Sequence, residues 1–207
     1  MNIEEEIKKV MESDKGIEIK NRMKEFESLS KMPDKEWFSE LCFCILTANS
    51  KASTGIAIQK HLGCKGFANL SQKELSSAIK NNKHRFHNKK SEYIINVRKY
   101  RDIKQILAGK SAEESREWLV KNIKGIGYKE SSHFLRNVGE KNLAILDRHI
   151  LNLMKENNLI DKIPNQMNKH NYLEIEEKFI SMSKRTGLSP AELDLCMWCM
   201  KTGSVMK

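Results

Sequence analysis

The stretch KNIKGIGYKESSHFLRN, residues 121–137, places two glycines one residue apart between two runs with helical spacing. Gly125 and Gly127 predict a tight turn, because glycine adopts backbone angles that other residues rarely reach and lets another backbone come close. Ile126 between them should anchor the turn to the core. A helix that begins just after such a turn offers amide N–H groups and the positive end of its dipole to one phosphate. A simple helical hairpin has the same glycine spacing, so the glycines alone leave both interpretations open.

Lys129 lies on the first turn of the helix that follows these glycines. An ammonium group is unfavourable there, because the helix dipole is positive at that end. An amine whose pKa is lowered by burial and by nearby positive charge is a nucleophile near neutral pH, which would give this position a catalytic use. The alternative is an ordinary surface lysine in a strongly basic chain.

Asp147 follows the apolar run 143–146 and precedes another helical segment, eighteen residues after Lys129. Aspartate is a favoured N-cap residue, so capping of that helix is its structural role. A carboxylate held rigidly at a helix start can also stabilise a positively charged sugar and accept a proton. One side chain can serve both roles.

The composition favours a protein that binds a polyanion. The chain has 207 residues, a formal charge of +10 and a pI near 9.3, which suits a nucleic-acid partner, although basic solubility surfaces are also common. No apolar run approaches the ~20 residues that cross a bilayer, and the acidic start MNIEEEIKKV is unlike a secretory signal. Five cysteines, mostly in apolar stretches, indicate reduced, buried thiols. We expect a soluble, intracellular protein.

Apolar residues repeat at helical spacing along most of the chain, which predicts an all-α fold of about ten helices. One stripe consists of Trp37, Leu41, Cys44, Ile45 and Ala48; a second long segment contains Ile94, Val97, Ile103 and Leu107; a shorter helix contains Ile150, Leu151, Leu153 and Met154. Ser189 and Pro190 predict the N-cap and the first residue of a final helix.

The length also allows two helical lobes around a cleft. In that case we expect residues 36–145 to form a central lobe, with the hairpin 123–128 in it or next to it. Residues 1–35 and 146–207 would share the second lobe.

The segment Lys80–Arg101 has eight basic residues and a single acidic residue, Glu92. The basic residues are Lys80, Lys83, Arg85, Lys89, Lys90, Arg98, Lys99 and Arg101. Phe86 lies within this run. A basic strip with an aromatic side chain can follow phosphates while the ring stacks on a base. The alternative is a solvated helix face with one core phenylalanine.

A helix, IKGIGYK, a second helix and then LDRHI resemble the helix–hairpin–helix DNA glycosylase superfamily in residue type, order and spacing. Bifunctional members of that superfamily carry the hairpin, a lysine nucleophile and a following aspartate in this order. The segment ILTANSKAS, residues 45–53, is similar to the one these enzymes use near the flipped base and the gap that it leaves. The resemblance extends from about Glu36 to Lys207.

The C-terminal cysteines indicate the branch of the superfamily. Endonuclease III-like members end in four cysteines that hold an iron–sulfur cluster, whereas this chain has only Cys196 and Cys199 there. We therefore expect no cluster, with a two-thiol metal site left as an alternative. The chain has no pattern for the β-rich N-terminal region of the eukaryotic-type 8-oxoguanine enzymes. RFHNKKSEYI and LSPAELDLCMWCMKTGSVMK resemble the short, all-helical 8-oxoguanine DNA glycosylase/AP lyase class, found mainly in archaea.

The resemblance implies a bifunctional repair enzyme that rotates 8-oxoguanine out of double-stranded DNA and excises it. Lys129 would form an imine with the sugar and cut the strand by β-elimination, while Asp147 stabilises the cationic sugar. Gly125, Gly127 and Lys124 would bind a DNA phosphate. No metal or organic cofactor is expected. We expect a monomer that acts on DNA containing 8-oxoguanine or abasic sites, in the cytoplasm at the nucleoid.

The same resemblance suggests a base pocket with Phe86 and Trp198 on the two faces of the base, although core packing is the commoner role of tryptophan. Asp194 lies four residues before Trp198, hence on the same helix face, and its carboxylate suits guanine N1–H and the exocyclic amine. Lys207 or its carboxylate would reach the pocket. Asn49 would either fill the void and contact the orphan base or cap the helix that ends near it.

Two other functions agree with these residues. The first is a glycosylase for another lesion, such as an oxidised pyrimidine or a mismatched base. The second is a helix–hairpin–helix DNA-binding module without catalysis, in which Lys129 only touches a phosphate.

Overall fold

The computed structural model describes residues 2–207, and the regular structure in that range is entirely helical, with twelve α-helices and one 3₁₀-helix. The α-helices are α1 (Ile3–Glu12), α2 (Asp14–Ser30), α3 (Asp34–Thr47), α4 (Ala52–Asn69), α5 (Gln72–Asn81), α6 (His87–Val97), α7 (Ile103–Leu107), α8 (Ala112–Asn122), α9 (Tyr128–Asn137), α10 (Arg148–Glu156), α11 (Lys169–Thr186) and α12 (Pro190–Thr202), with the 3₁₀-helix at Arg98–Tyr100. The all-α prediction is confirmed. The helices outnumber the ten expected, partly because the segment predicted as one long run from Ile94 to Leu107 is divided among α6, the 3₁₀-helix and α7.

The chain divides into two compact units. The central unit is Leu29–Val138, and the terminal unit combines the residues up to Ser28 with Gly139–Lys207. The lobe boundaries predicted from the sequence, near residues 36 and 145, lie about seven residues after the limits of the central unit. The division into lobes at those residues stays a prediction.

Helix α3 is buried on all sides rather than along one stripe. Every side chain from Phe38 to Thr47 is buried, and the helix packs against α4, α6, α7 and α9 within the central unit. The residues of the predicted stripe that lie from Leu41 to Ala48 are buried, but the buried surface of the helix is wider than that stripe. Trp37 is half-buried, and Ala48 follows the helix as its C-cap residue. Burial of every residue over nearly three turns is typical of a core helix.

Polar side chains satisfy carbonyl groups at the end of α3, which have no partners inside the helix. Lys90 Nζ donates to the Ile45 carbonyl at 2.6 Å, and His84 Nε2 donates to the Leu46 carbonyl at 2.9 Å. His84 Nδ1 accepts a hydrogen bond from the Phe86 N–H at 3.2 Å, so the imidazole is the neutral tautomer with its proton on Nε2. Burial lowers the pKa of His84, which agrees with this assignment.

In the terminal unit, helix α12 begins at the residues predicted from the sequence. Ser189 Oγ accepts from the Glu192 N–H at 3.3 Å, and Glu192 Oε2 accepts from the Ser189 N–H at 2.9 Å, so the two form a capping box at α12. Pro190 is the first residue of that helix. The apolar residues predicted for α10 are all buried, namely Ile150, Leu151, Leu153 and Met154.

The five cysteines are free thiols: four are buried, as predicted, and Cys64 is half-buried. Burial raises the pKa of Cys196 to about 12, which makes its thiol a poor nucleophile and metal ligand. Across residues 2–207, no helix is long and apolar enough to cross a membrane. Within the same range, no three His, Cys, Asp or Glu side chains gather where they could hold a metal ion.

Lys90 should make stability depend on pH. Burial lowers its pKa from 10.5 to about 8 in the folded protein, so between these values the unfolded chain binds a proton that the folded chain releases. By linkage, the cost of burying the charged amine is fully present below about pH 8 and is relieved as the pH rises toward 10.5, so stability increases through this window. We expect the melting temperature of the wild type relative to Lys90→Met to increase across this window. A constant difference over that range would show that Lys90 titrates normally.

Candidate active site

The glycine hairpin joins α8 to α9 in the central unit. Gly125 has a left-handed φ of 97°, and Ile126 is 9% exposed, so the isoleucine anchors the turn in the core as predicted. A Cβ atom on Gly125 would lie 2.2 Å from the ring of Tyr93 in α6. The first glycine is therefore required both by its backbone conformation and by the closeness of an aromatic ring.

The second glycine has a different role. Gly127 is the N-cap residue of α9 with φ −115° and ψ −160°, an extended conformation that any residue can adopt. A Cβ atom here would meet only Glu130 Oε2, at an ordinary distance of 3.7 Å. Neither the backbone angles nor the protein interior requires a glycine at this position, where glycine is one of several residues that suit a helix N-cap.

Lys129 is the second residue of α9, and its side chain is 26% exposed. Its Nζ lies 3.0 Å from Glu130 Oε1, while Glu130 Oε2 accepts from the Gly127 N–H at 3.2 Å. The amide that was expected to face a phosphate is therefore occupied by a carboxylate of the same helix. Glu130 was missed in the sequence, although its position three residues after an N-cap is the signal for such a bond.

Helix α9 is fixed to α3 at its far end. Asn137 Nδ2 donates to Glu40 Oε1 at 2.7 Å, and both side chains are buried. Phe134, also on α9, packs its ring edge-on against Trp37 with centroids 6.1 Å apart. The helix that carries Lys129 is therefore held at both ends within the central unit, by the hairpin and by this contact.

Asp147 is the N-cap residue of α10 in the terminal unit, as predicted. Its Oδ1 accepts from the Ile150 N–H at 2.9 Å, and the side chain is half-buried. The buried segment before it is held by α11: Tyr172 Oη donates to the Ala144 carbonyl at 2.8 Å, and Glu176 Oε1 accepts from the Ala144 N–H at 3.0 Å. These side chains supply partners to a buried stretch outside any helix and so fix the start of α10.

Phe86 and Asn49 both lie exposed on the central unit. Phe86 is 40% exposed, and the guanidinium of Arg85 lies over its ring at 4.4 Å from the centroid. Asn49 follows the end of α3 with a left-handed φ of 58°, the conformation that commonly ends a helix. Its exposed side chain is compatible with both roles predicted for it.

Some basic residues of the segment 80–101 are exposed at the surface, and others are buried or bonded to the protein backbone. Lys90 is 5% exposed, so the prediction that it belongs to a phosphate-binding strip is wrong. Arg98 and Arg101 donate to carbonyl groups at the end of α4, which turns them toward the protein backbone. Five basic residues of the segment are exposed and do not donate to these carbonyl groups: Lys80, Lys83, Arg85, Lys89 and Lys99. Of these, Lys89 pairs with Glu92 at 2.9 Å.

Lys124 is exposed next to the hairpin, where its Nζ lies 3.9 Å from Glu92 Oε1. A pair at this distance and exposure is weak, so Lys124 can turn to another anion at little cost.

The other residues predicted for the base pocket lie in the terminal unit. Trp198 is half-buried on α12 with its ring edge-on to His149, at a centroid distance of 6.1 Å. Asp194, one turn earlier on the same helix, is only 3% exposed, and Lys207 is half-buried. His149 was not singled out in the sequence, where an exposed histidine on a helix carries no signal.

An all-helical chain with a glycine hairpin, a lysine on the next turn and a capping aspartate further on has the architecture of a helix–hairpin–helix DNA glycosylase. The model of the 8-oxoguanine DNA glycosylase family matches residues 19–188, and the chain belongs to that family.

Three known proteins illustrate the relationship. The "8-oxoguanine DNA glycosylase/AP lyase" of Methanocaldococcus jannaschii is 49% identical over 206 residues, covering 97% of this chain and 99% of the relative. The crystal structure of the Methanocaldococcus jannaschii 8-oxoguanine glycosylase/lyase in complex with 15mer DNA containing 8-oxoguanine has a TM-score of 0.97 and 46% identity over 99% of both chains. The crystal structure of the Thermotoga maritima 8-oxoguanine DNA glycosylase has a TM-score of 0.93 and 40% identity, covering 99% of this chain and 98% of that one.

The two hairpin glycines should respond differently to substitution. Gly125→Ala should lower the free energy of unfolding by about 1–3 kcal/mol, because it adds both a strained backbone and a contact with an aromatic ring. Gly127→Ser should change it by less than about 0.5 kcal/mol, because serine is a good N-cap residue and has room. Urea unfolding of the two variants measures both values. An equal loss of unfolding free energy in the two variants would contradict the different structural roles given to Gly125 and Gly127.

Proposed function

We propose that this protein excises 8-oxoguanine from double-stranded DNA and then cuts the strand at the resulting abasic site. The observation that carries this proposal is membership of the 8-oxoguanine DNA glycosylase family, together with 46% identity, over 99% of both chains, to a relative crystallised with DNA containing 8-oxoguanine. The lysine that follows the hairpin supports the lyase step, because imine chemistry requires an amine.

Lys129 is the proposed nucleophile. Its uncharged amine attacks C1′ of the damaged nucleotide, so that the N–C1′ bond forms while the glycosidic bond breaks and the base leaves with the bonding electrons. Opening of the sugar ring gives an imine between the enzyme and C1′. The imine makes the C2′ proton acidic, and its removal expels the 3′ phosphate by β-elimination. Once it is bonded to C1′, the nitrogen of the lysine withdraws electrons from the sugar and activates it for elimination. This route therefore needs no metal or organic cofactor.

Asp147 is the proposed partner of the sugar during bond cleavage. Its carboxylate stabilises the positive charge that develops on the sugar and exchanges protons with the amine and the leaving base. The N-cap bond uses Oδ1, which holds the carboxylate in one orientation. A carboxylate fixed in this way needs little reorganisation when charge develops, which is the condition under which electrostatic stabilisation is largest.

The hairpin is the proposed phosphate anchor. Gly125, Gly127 and Lys124 combine backbone amides with an exposed ammonium group next to the start of α9. The exposed basic residues of the segment 80–101 extend the positive surface, and the formal charge of +10 favours association with DNA.

The base and the gap that it leaves need separate contacts. Phe86 and Trp198 are the proposed stacking residues, with Asp194 as acceptor for guanine N1–H and the exocyclic amine, and with Lys207 at the edge of the pocket. Asn49 is proposed to fill the gap, because its left-handed backbone projects it beyond the end of a buried helix.

The protein is proposed to act as a monomer, in the cytoplasm at the nucleoid, where damaged DNA is its partner. Borohydride trapping on three duplexes, carrying 8-oxoguanine, thymine glycol or an abasic site, tests the function. An adduct with 8-oxoguanine and with the abasic site supports the proposal. An adduct with thymine glycol instead would identify a pyrimidine glycosylase, and binding without any adduct would identify a non-catalytic DNA-binding module.

Lys129→Gln should abolish both base release and borohydride trapping while preserving duplex binding, because it removes the amine and keeps a polar, unbranched side chain. Gel-based assays for free base and for the covalent adduct measure the two steps, and fluorescence anisotropy measures binding. Lys121→Gln, which removes an exposed charge from the last turn of α8, is the matched control and should react like the wild type. Normal base release by Lys129→Gln would remove Lys129 from its proposed role.

Asp147→Asn should slow base excision severely, because asparagine caps a helix but carries no charge for the sugar. The chain already uses asparagine in this way at α11, where Asn168 Oδ1 accepts from the Asn171 N–H at the same distance of 2.9 Å. Unfolding curves should therefore show a loss of at most about 1 kcal/mol. Excision at the wild-type rate, or a loss of activity explained by unfolding, would contradict the assignment.

A further inference from the structure

Glu130 is bound to two groups that the proposed function uses. One carboxylate oxygen lies 3.0 Å from Lys129 Nζ, and the other accepts from the Gly127 N–H at 3.2 Å. The side chain of Glu130 is 14% exposed and that of Lys129 is 26% exposed. The nucleophile and the hairpin amide are therefore connected, in the free protein, through one carboxylate.

The capping bond of Glu130 is weaker than its counterparts in the chain. At α5, α8 and α12 a serine is the N-cap residue, and its hydroxyl completes a reciprocal capping box. In those boxes the glutamate accepts from the N-cap amide at 2.7, 2.8 and 2.9 Å, compared with 3.2 Å at α9. Gly127 has no hydroxyl to offer, so only half of a capping box exists there. Such a bond is more easily exchanged for another acceptor.

The bond to Glu130 opposes the chemistry proposed for Lys129. An ammonium group that donates to a carboxylate has no lone pair with which to attack C1′. The amine must therefore leave this carboxylate before it reacts. Any acceptor that takes the Gly127 amide from Glu130 loosens the same carboxylate from its other partner.

A DNA phosphate has the properties of that acceptor. It is an anion that suits the amide at the start of a helix, and its charge repels the carboxylate that already lies there. Gly127 is half-buried, and Glu130 Oε2 is the atom that a Cβ at this position would meet.

Lys90 adds a third charge to the group. It is buried, and its pKa is lowered mainly by that burial, with Lys129 lowering it further and Glu130 raising it. When Glu130 withdraws, the two amines lose the carboxylate that compensates them. The three side chains therefore form one electrostatic group, in which a displacement of Glu130 affects both amines.

We propose, on the basis of the proposed function, that Glu130 is a positioning residue: it pairs with Lys129 in the free protein and releases it when a DNA phosphate takes over the Gly127 amide. Binding of DNA and activation of the amine are thereby coupled through one side chain. Lys129 remains paired, and protected from reaction with other carbonyl compounds, until the hairpin has engaged a strand.

The test compares Glu130→Gln with Glu114→Gln. The glutamine at position 130 keeps an acceptor for the Gly127 amide, so the helix start is retained while the ion pair is lost. Glu114 has the same capping position in α8 but no part in the proposed site, which makes it the matched control. Glu130→Asp, which keeps the charge but is too short to reach both partners, provides a second variant with the same expected direction.

The first measurement uses the protein without DNA. Lysines are labelled with limiting acetic anhydride, and mass spectrometry gives the extent at Lys129 relative to the exposed Lys121. Labelling of Lys129 should increase about two- to fivefold in Glu130→Gln, the factor that corresponds to loss of a partly exposed ion pair, and should not change in Glu114→Gln. Unchanged labelling in Glu130→Gln would overturn the proposal.

The second measurement is borohydride trapping on an abasic-site duplex at several DNA concentrations. Under subsaturating DNA, Glu130→Gln should be trapped about two- to fivefold faster than the wild type, because no ion pair has to be exchanged on binding. A severe loss at saturating DNA would show that Glu130 works inside the complex, which contradicts its release. If none of the proteins forms an adduct on any lesion, the proposed function fails, while the labelling result still decides whether Glu130 restrains Lys129.

Discussion

The absence of space at Gly125 is the constraint on which the central unit depends. The ring of Tyr93 occupies the place where a side chain would begin, so the turn and α6 are in direct contact. That contact sets where α9 starts, and the start of α9 sets where Lys129 lies. A residue with a side chain at position 125 would move the hairpin away from α6 and would displace both the amides and the amine together.

The same helix α6 also controls the end of α3. Lys90, three residues before Tyr93, donates to the Ile45 carbonyl, and the neighbouring His84 donates to the carbonyl of Leu46. A methionine at position 90 would fill similar space without the cost of burying a charge, but it would leave a carbonyl without its partner. The lysine thus supplies a long donor for a helix end and, in the same place, a positive charge near Lys129 and Glu130.

The features that the sequence predicted are those set by a few neighbouring residues. The turn was predictable from Gly125, and the start of α12 from Ser189 and Pro190, because caps and turns depend on local backbone chemistry. The basic segment shows the opposite case. Lys90 and Lys89 are adjacent and alike in sequence, yet one is buried and the other exposed, because α6 turns one face to α3. Glu130 lies between these cases: its capping bond was predictable from spacing, but its second partner depends on the Lys129 rotamer.

The two proposed catalytic side chains occupy opposite kinds of helix position. Asp147 is an anion at a helix start, where the dipole and the Ile150 amide both favour it, so its orientation is set without DNA. Lys129 is a cation at a helix start, where the dipole disfavours it, and Glu130 compensates. The aspartate is therefore organised in advance, whereas the lysine depends on a partner that can be exchanged. A nucleophile must lose its proton to act and a stabilising carboxylate must keep its charge, so this difference in helix environment matches the difference in chemical role.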